Sequence, residues 1–492
     1  MDVPPNTPVL VGVGQVLNRI HDLSEALEPL EMMWRAIQLA ESDAEAGAFL
    51  SDVQSVRVVR GMWSYQNPAK LIGERLGATN FETVGTLIGG NQNQAVINTT
   101  ACEIRDGKLD LVLITGAENG NSSTKARKQG IQLQQTDAPG NYDRIIGAEQ
   151  QPEHHEYEVA KGIQRAIQVY PMYDNRIRFT RDETIAEHLE RVSGLWSRFN
   201  DVGLRNPNAW VQTNMTAEEI RTPSESNRPI SFPYTKFMNA NMSVNMGAAL
   251  IMTSVKKAHA IGIPESKWIY PLAGVKGYDH FSASVRDEFD ASPGIRAVAA
   301  CLLEHSEVSA DKLDYVDLYS CFPSAVQVAA KEYGLSEERD LTVTGGLTFG
   351  GGPLNNYVMH SIARTVELLR DHPGGKALVT ANGGNIYKQV HGTYGKEPPN
   401  RPFVADDVQA QIDSLPTRTC LSTYDGPANI ESYTVMYDGF QPSIGHVACR
   451  TLADERTWVN TTDPELVQAM TQEEFCGRSV YIKNGDELDV LN

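Results

Sequence analysis

The chain is 492 residues long and 41% hydrophobic with both charge signs mixed, which is too much for one core and points to two or three ordered domains. Its formal charge of −19 repels phosphate backbones and anionic membranes, so no nucleic-acid partner is expected. No apolar run approaches the ~20 residues of a membrane span, no basic-then-apolar leader opens the sequence, and the six cysteines lack CxxC spacing. We therefore expect a cytoplasmic protein with reduced thiols, off the membrane, with neither a disulfide framework nor a zinc site.

The predicted elements begin with an apolar strand at 8–16 (PVLVGVGQV). A helix follows at 25–40, with Leu30, Met33, Trp34 and Ile37 spaced along one face. Next come a strand at 55–60, a helix in PAKLIGERLG and a strand in FETVGTLIGG that ends in glycines. A helix at 93–107 carries Ala95, Val96, Ile97, Ala101 and Ile104, and leads into a buried-type strand at 109–118. Strands alternating with helices imply βα units on a mostly parallel sheet. From 119 to 229 the apolar periodicity weakens, as in an inserted loop domain.

The rhythm returns at 247–262 and continues through WIYPLAGVKGY, GIRAVAACLLEHS, LDYVDLYSCF and PSAVQVAAKEYG. A helix at 355–370 and the strand GKALVTANGG complete a second α/β series. The similar order of AFLSDVQSVRVVRG and SADKLDYVDLYSC suggests two copies of one unit. The division is thus 1–118 with 230–262 as a first half, 119–229 as the insert, and 263–402 as a second half. Residues 415–492 alternate β-formers with Gly and Pro turns and read as a small separate β domain, an open barrel.

The stretch VTGGLTFGGGPLNNY (343–357) holds five glycines, a composition that marks a sharp turn or the close approach of a ligand. Three stretches, QAVINTTACEIRDGKLDLVLITGAE, NMSVNMGAALIMTS and TGGLTFGGGPLNN, resemble in order and spacing the active-site segments of the thiolase superfamily. With the extra C-terminal β domain, the resemblance is to thiolase-like proteins of type 1, usually described as acetyl-CoA acetyltransferases. It implies a five-layer αβαβα fold of two duplicated halves, with an OB-like C-terminal domain. It also implies an acyltransferase-like role in lipid metabolism, with a coenzyme A thioester as substrate or ligand and no covalently bound cofactor.

The residues that the resemblance aligns with thiolase catalysis are changed. The nucleophilic cysteine falls on Gly90, the histidine of G-H-P on Gly352 beside Gly351, and the cysteine of C-x-G on Ala381. None of these can ionise, so a covalent cycle that needs a nucleophile, a base and a proton donor cannot run at these positions. The resemblance leaves two oxyanion-hole amides, Gly90 N–H and Gly383 N–H, and an amide donor of this kind is worth ~3 kcal/mol. The H-D-C-F motif of sterol-carrier thiolases reads Tyr319-Ser320-Cys321-Phe322 here. A tyrosine hydroxyl can donate to a developing oxyanion or act as a general acid. The substitution resembles the aldolases of sterol side-chain breakdown, which cleave β-hydroxyacyl-CoA without a cysteine nucleophile and work beside an OB-fold partner. The pantetheine-binding loop maps onto Asn241, Met242 and Ser243.

Tyr319 is equally readable as a strand-end residue, and Cys321 as a small buried hydrophobe. His391 is carried as an acid/base candidate, against a solvated loop histidine. EHHEYE (153–158) reads as a solvated helix start rather than a metal site, and GVG (12–14) lacks the third glycine of a dinucleotide loop. STKARKQG (123–130) reads as a solvated loop whose three cations could meet the phosphates of an anionic cofactor. Two functions stay open: an enzyme acting on a C–C bond of an acyl-CoA, by retro-aldol cleavage of a β-hydroxyacyl-CoA, and a non-catalytic acyl-CoA-binding or sensor protein. A monomer and a homodimer are both compatible with the sequence.

Overall fold

A computed structural model describes residues 3–147 and 153–491. Two mixed sheets form its scaffold. Edge to edge, the first runs Pro8–Leu17, Asn245–Ser254, Leu111–Asn119, Ser55–Val58, Glu82–Thr86 and Arg144–Ile146. The second runs Tyr315–Asp317, Lys376–Gly383, Lys388–Gly395, Tyr270–Tyr278 and Val404–Asp407. Starting from Pro8–Leu17 in one and Tyr270–Tyr278 in the other, both show the same succession of antiparallel, antiparallel and parallel pairings. The duplicated topology expected from the sequence is present.

Two helices, Gln92–Arg105 and Tyr357–Arg370, lie between the sheets and touch strands of both. Val96, Ile97, Ala101, Val358, Ile362 and Val366 share one core with the inward residues of the sheets, such as Ile114, Leu250 and Val379. Pro29–Asp43 covers the outer face of the first sheet and Pro293–Ser306 that of the second. The layers are α/β/α/β/α. Trp34 is only half-buried, stacked under the Arg75 guanidinium; Met32 takes the core position instead. The GVG motif needs no dinucleotide: a Cβ at Gly12 or Gly14 would overlap the carbonyls of Ala40 and Ala36, so both glycines serve close strand–helix packing.

Two strands of the second sheet escape the sequence pattern. Lys388–Gly395 is buried on both faces, which removes the polar/apolar alternation. Val404–Asp407 is a short edge strand that carries this sheet to Asp407, beyond the 402 boundary. Within the insert, Arg144–Ile146 joins the first sheet.

The C-terminal domain is an antiparallel sheet in the order Arg456–Thr461, Gln441–Thr451, Gly426–Asp438, Ser479–Lys483, Glu487–Val490, with Pro229–Ser231 added onto Gly426–Asp438. It curls until its outer strands lie close together, but no ladder joins them, so it is an open sheet rather than a closed barrel. Val435, Val447, Val459 and Ile482 give it a separate core. Arg456, fully buried, clamps it to the body. Its guanidinium donates to both oxygens of Glu431 at 2.7 Å and to the carbonyls of Ala283 and Ser284 at 2.8 and 3.0 Å. The insert helix Ala166–Thr180 packs against Gly426–Asp438, and its Asn175 donates to Tyr433 O at 2.7 Å.

Candidate active site

Five segments converge at the N-terminus of the first central helix. Gly89 N–H donates to Asn355 Oδ1 at 3.1 Å, which fixes the helix entry to the glycine-rich turn. That turn is tied to the surface loop by Asn241 N–H to Leu347 O (3.0 Å) and Gly352 N–H to Asn241 O (2.9 Å). The same loop backs onto Cys321, whose carbonyl accepts from Ala240 N–H at 3.1 Å. The Asn382-Gly383 segment closes the ring. A Cβ at Gly383 would stand 2.5 Å from Asn91 Oδ1, and one at Gly90 would overlap the carbonyl oxygen of Asn382. Gly90 and Gly383 are thus brought together.

Gly90 has a more specific reason to be glycine. A Cβ there would overlap the Tyr319 hydroxyl oxygen and lie 2.8 Å from Tyr319 Cζ. The phenol occupies the space that a nucleophilic side chain on this helix would need. Tyr319 is held by its backbone N–H to Thr380 Oγ1 at 2.8 Å and by an edge-to-face contact with Tyr357 at 5.6 Å. Its side chain remains partly accessible. Burial, and then the neighbouring Cys321, push its pKa far above the ordinary phenol value, so at neutral pH it is a donor.

Cys321 is also kept protonated, its pKa pushed up to about 12 by burial, so it is a poor nucleophile. His391 does not reach the site. Gly392, its neighbour in the strand, faces Gln94 of the central helix, which turns His391 to the outer face. There Tyr333 Oη lies 2.7 Å from Nδ1, and Nε2 lies 3.1 Å from Gln389 Oε1. Burial lowers its pKa to about 3. It is a neutral core residue, neither a solvated loop histidine nor an acid/base group beside Tyr319.

Gly351 has φ +110° and packs against Met246 and Trp210, so it shapes the turn. Asn241 is half-buried, while Met242 and Ser243 are exposed at the outer mouth. Ser243 is bound by Asn121 at 3.1 Å, and a Cβ at Gly120 would overlap Met242 O, so the helix Gly120–Gln129 starts at this loop. Arg127 and Lys128 are exposed on its last turn. The 153–158 cluster departs from a solvated helix start: Glu158 is fully buried and accepts from Ser284 N–H and Oγ–H at 2.7 Å. His155 caps the short helix through Tyr157 N–H.

Sequence reasoning missed several residues here. Asn91, Gln92, Asn93 and Asn382 each have a buried amide oxygen with no hydrogen-bond partner among the described residues. Buried polar atoms are normally satisfied, so these oxygens are available as acceptors. An amide run beside glycines (GGNQN) is the signal that could have found them. Tyr170, on the insert helix, accepts from Asn382 Nδ2 at 3.1 Å, donates to Gly384 O at 3.2 Å and stacks on Phe322 at 4.4 Å. Glu118, at the end of an entirely buried strand, has its pKa raised by burial to about 7. It accepts from Met62 N–H at 2.9 Å.

Residues 407–487 match the family model described as the thiolase-like protein type 1 additional C-terminal domain. A comparison with curated proteins yields no match. The fold is similar to the crystal structure of a monomeric SCP2-thiolase-like protein type 1 from Mycobacterium smegmatis, with 31% identity, TM-score 0.85 and full coverage of both chains. It also resembles the Ltp2–ChsH2(DUF35) aldolase at 20% identity, covering 79% of this chain and 98% of that one, TM-score 0.59. The dimeric peroxisomal thiolase of Saccharomyces cerevisiae matches at 13% identity, over 80% and 99%, TM-score 0.56. The last two likenesses are of fold. Among the described residues no helix is long and apolar enough to cross a membrane.

Proposed function

Because the chain belongs to the SCP2-thiolase-like proteins of type 1, we propose that it binds a coenzyme A thioester and acts on it without an acyl-enzyme. The observation that carries this is the Tyr319 hydroxyl lying where a side chain at Gly90 would stand. Packing as well as composition argues against a nucleophile at position 90. In this reading the pantetheine arm passes Asn241, Met242 and Ser243, and the phosphates meet Arg127 and Lys128. The thioester oxygen lies between the amides of Gly90 and Gly383, with the orphan amide oxygens near the acyl group.

The reaction that suits this set is retro-aldol cleavage of a β-hydroxyacyl-CoA. The β-hydroxyl proton leaves, the Cα–Cβ pair passes into the thioester enolate, a ketone or aldehyde departs, and a proton returns to Cα. Tyr319, protonated at rest, gives its phenol proton to Cα and takes the β-hydroxyl proton in its place, and the two amides hold the enolate oxygen. The protonated states of Tyr319 and Cys321, and the outward His391, support a second reading: a binding or sensor protein that turns nothing over.

Calorimetric titration with acyl-CoAs tests the shared premise, and no heat at millimolar ligand would end both readings. Incubation with β-hydroxyacyl-CoA and β-ketoacyl-CoA panels, with products followed by mass, separates them. Ketone release abolished by Tyr319→Phe supports the aldolase; binding without product leaves the sensor. Turnover of acetoacetyl-CoA through an adduct on Cys321 would contradict the cysteine-independent chemistry. A monomer is the assembly we propose, to be checked by sedimentation.

A further inference from the structure

Away from this site, on the outer face of the second sheet, three side chains of metal-ligating type converge. Cys301 and His305 stand one turn apart on the helix Pro293–Ser306 and so project from the same face. Asp406 reaches them from the edge strand Val404–Asp407. Its Oδ2 lies 3.0 Å from His305 Nε2 and 3.7 Å from Cys301 Sγ, and all three ligand atoms lie within 4.8 Å of one another. Its other oxygen is taken by Asp407 N–H at 2.8 Å, which orients the carboxylate.

We infer that Cys301, His305 and Asp406 form a binding site for a borderline-soft divalent cation such as Zn²⁺. Ligand bonds of about 2.0 to 2.3 Å in a tetrahedron set the donors roughly 3.3 to 3.8 Å apart, and the Asp406 distances fall close to that. A thiolate and a carboxylate cancel the ion's charge, and imidazole with thiolate favours zinc over calcium or magnesium. A surface histidine–aspartate pair alone would not need a thiol aimed at the same oxygen. His305 is a quarter exposed and Asp406 half exposed, so an ion can enter and a water can fill the fourth position. The CxxC spacing rule misses the site because its ligands come from a helix and a distant strand. A bound ion would tie the outer helix to the edge strand, at the threshold of the C-terminal domain.

The test is titration of chelator-stripped full-length protein with Co²⁺. The expected result is a thiolate-to-cobalt charge-transfer absorption that saturates at one equivalent, is displaced by Zn²⁺ and is lost in Cys301→Ser. Asp406→Asn and His305→Ala, both on the surface, should weaken binding at least tenfold while leaving the circular dichroism unchanged. No thiolate band, or a band that survives Cys301→Ser, overturns the proposal. Should Cys301→Ser fail to fold, unchanged cobalt affinity in both Asp406→Asn and His305→Ala overturns it equally.

Discussion

The two halves of the molecule repeat one topology but treat the N-terminus of their central helix in opposite ways. In the second half a buried carboxylate gathers the nearby donors. Asp317, fully buried, accepts from Val343 N–H, Thr342 Oγ1 and Tyr357 Oη, each at 2.9 Å, and these bonds take the place of the third strand that the first half has at Glu82–Thr86. In the first half the equivalent region is a glycine pair followed by amides whose oxygens lack partners among the described residues. Duplication supplies the scaffold twice. Asn356 Oδ1 in the second half also lacks a partner among the described residues, so the contrast lies in the buried carboxylate, which gathers donors in one copy and has a glycine pair as its counterpart in the other.

The largest effect expected from this asymmetry is on acid stability. His360 and His391 are buried, both belong to the second half, and burial lowers each pKa to about 3. The unfolded chain begins to take up those protons near pH 6.5, while the native state refuses them until about pH 3. Stability is therefore lost as pH falls through that window. At pH 5 the loss is about 2 kcal/mol per histidine. Hydrogen exchange at pH 5 should show the second sheet opening before the first; the reverse order would break the comparison.

Next in size, Asp317→Ala strands three buried donors and should cost about 3 kcal/mol. Urea unfolding should show a lower midpoint with an unchanged slope. The smallest effect sharpens the other side. Gly90→Ala forces a methyl against Tyr319 and Asn382 and should cost about 2 kcal/mol. Tyr319→Phe in the same chain should recover part of that loss, and stability that is indifferent to the second change would show that the phenol does not fill the nucleophile position.

Most of the fold was legible because the two halves write their helices and inner strands in plain apolar runs, such as LDLVLITGAE and GKALVTANGG. The strand Lys388–Gly395 was not legible, since burial on both faces and glycines at 392 and 395 leave no period to detect. At the site, the substitutions at Gly90, Gly352 and Tyr319 could be read by position. The cause of the glycine at 90 could not, because Tyr319 lies more than two hundred residues away and only the packed sheets bring its hydroxyl there. Tyr170 was hidden for a related reason: it sits in the polar-looking insert, and its helix is buried between Pro323–Tyr333 and the C-terminal sheet, both far away in sequence.

That helix also imposes an order on synthesis. Ala166–Thr180 carries Asp174 and Arg178, both fully buried in the finished protein, and Arg178 finds its partners in Tyr433 and Glu474. The strand it packs on begins at Gly426, about 250 residues later, so on a ribosome adding 5–20 residues per second the helix waits roughly 12 to 50 s for its cover. Through that interval a nascent chain exposes the Arg178 guanidinium, still without Tyr433 and Glu474, to whatever chaperone attends it. The face that carries Arg178 is finished only once the last domain has left the exit tunnel.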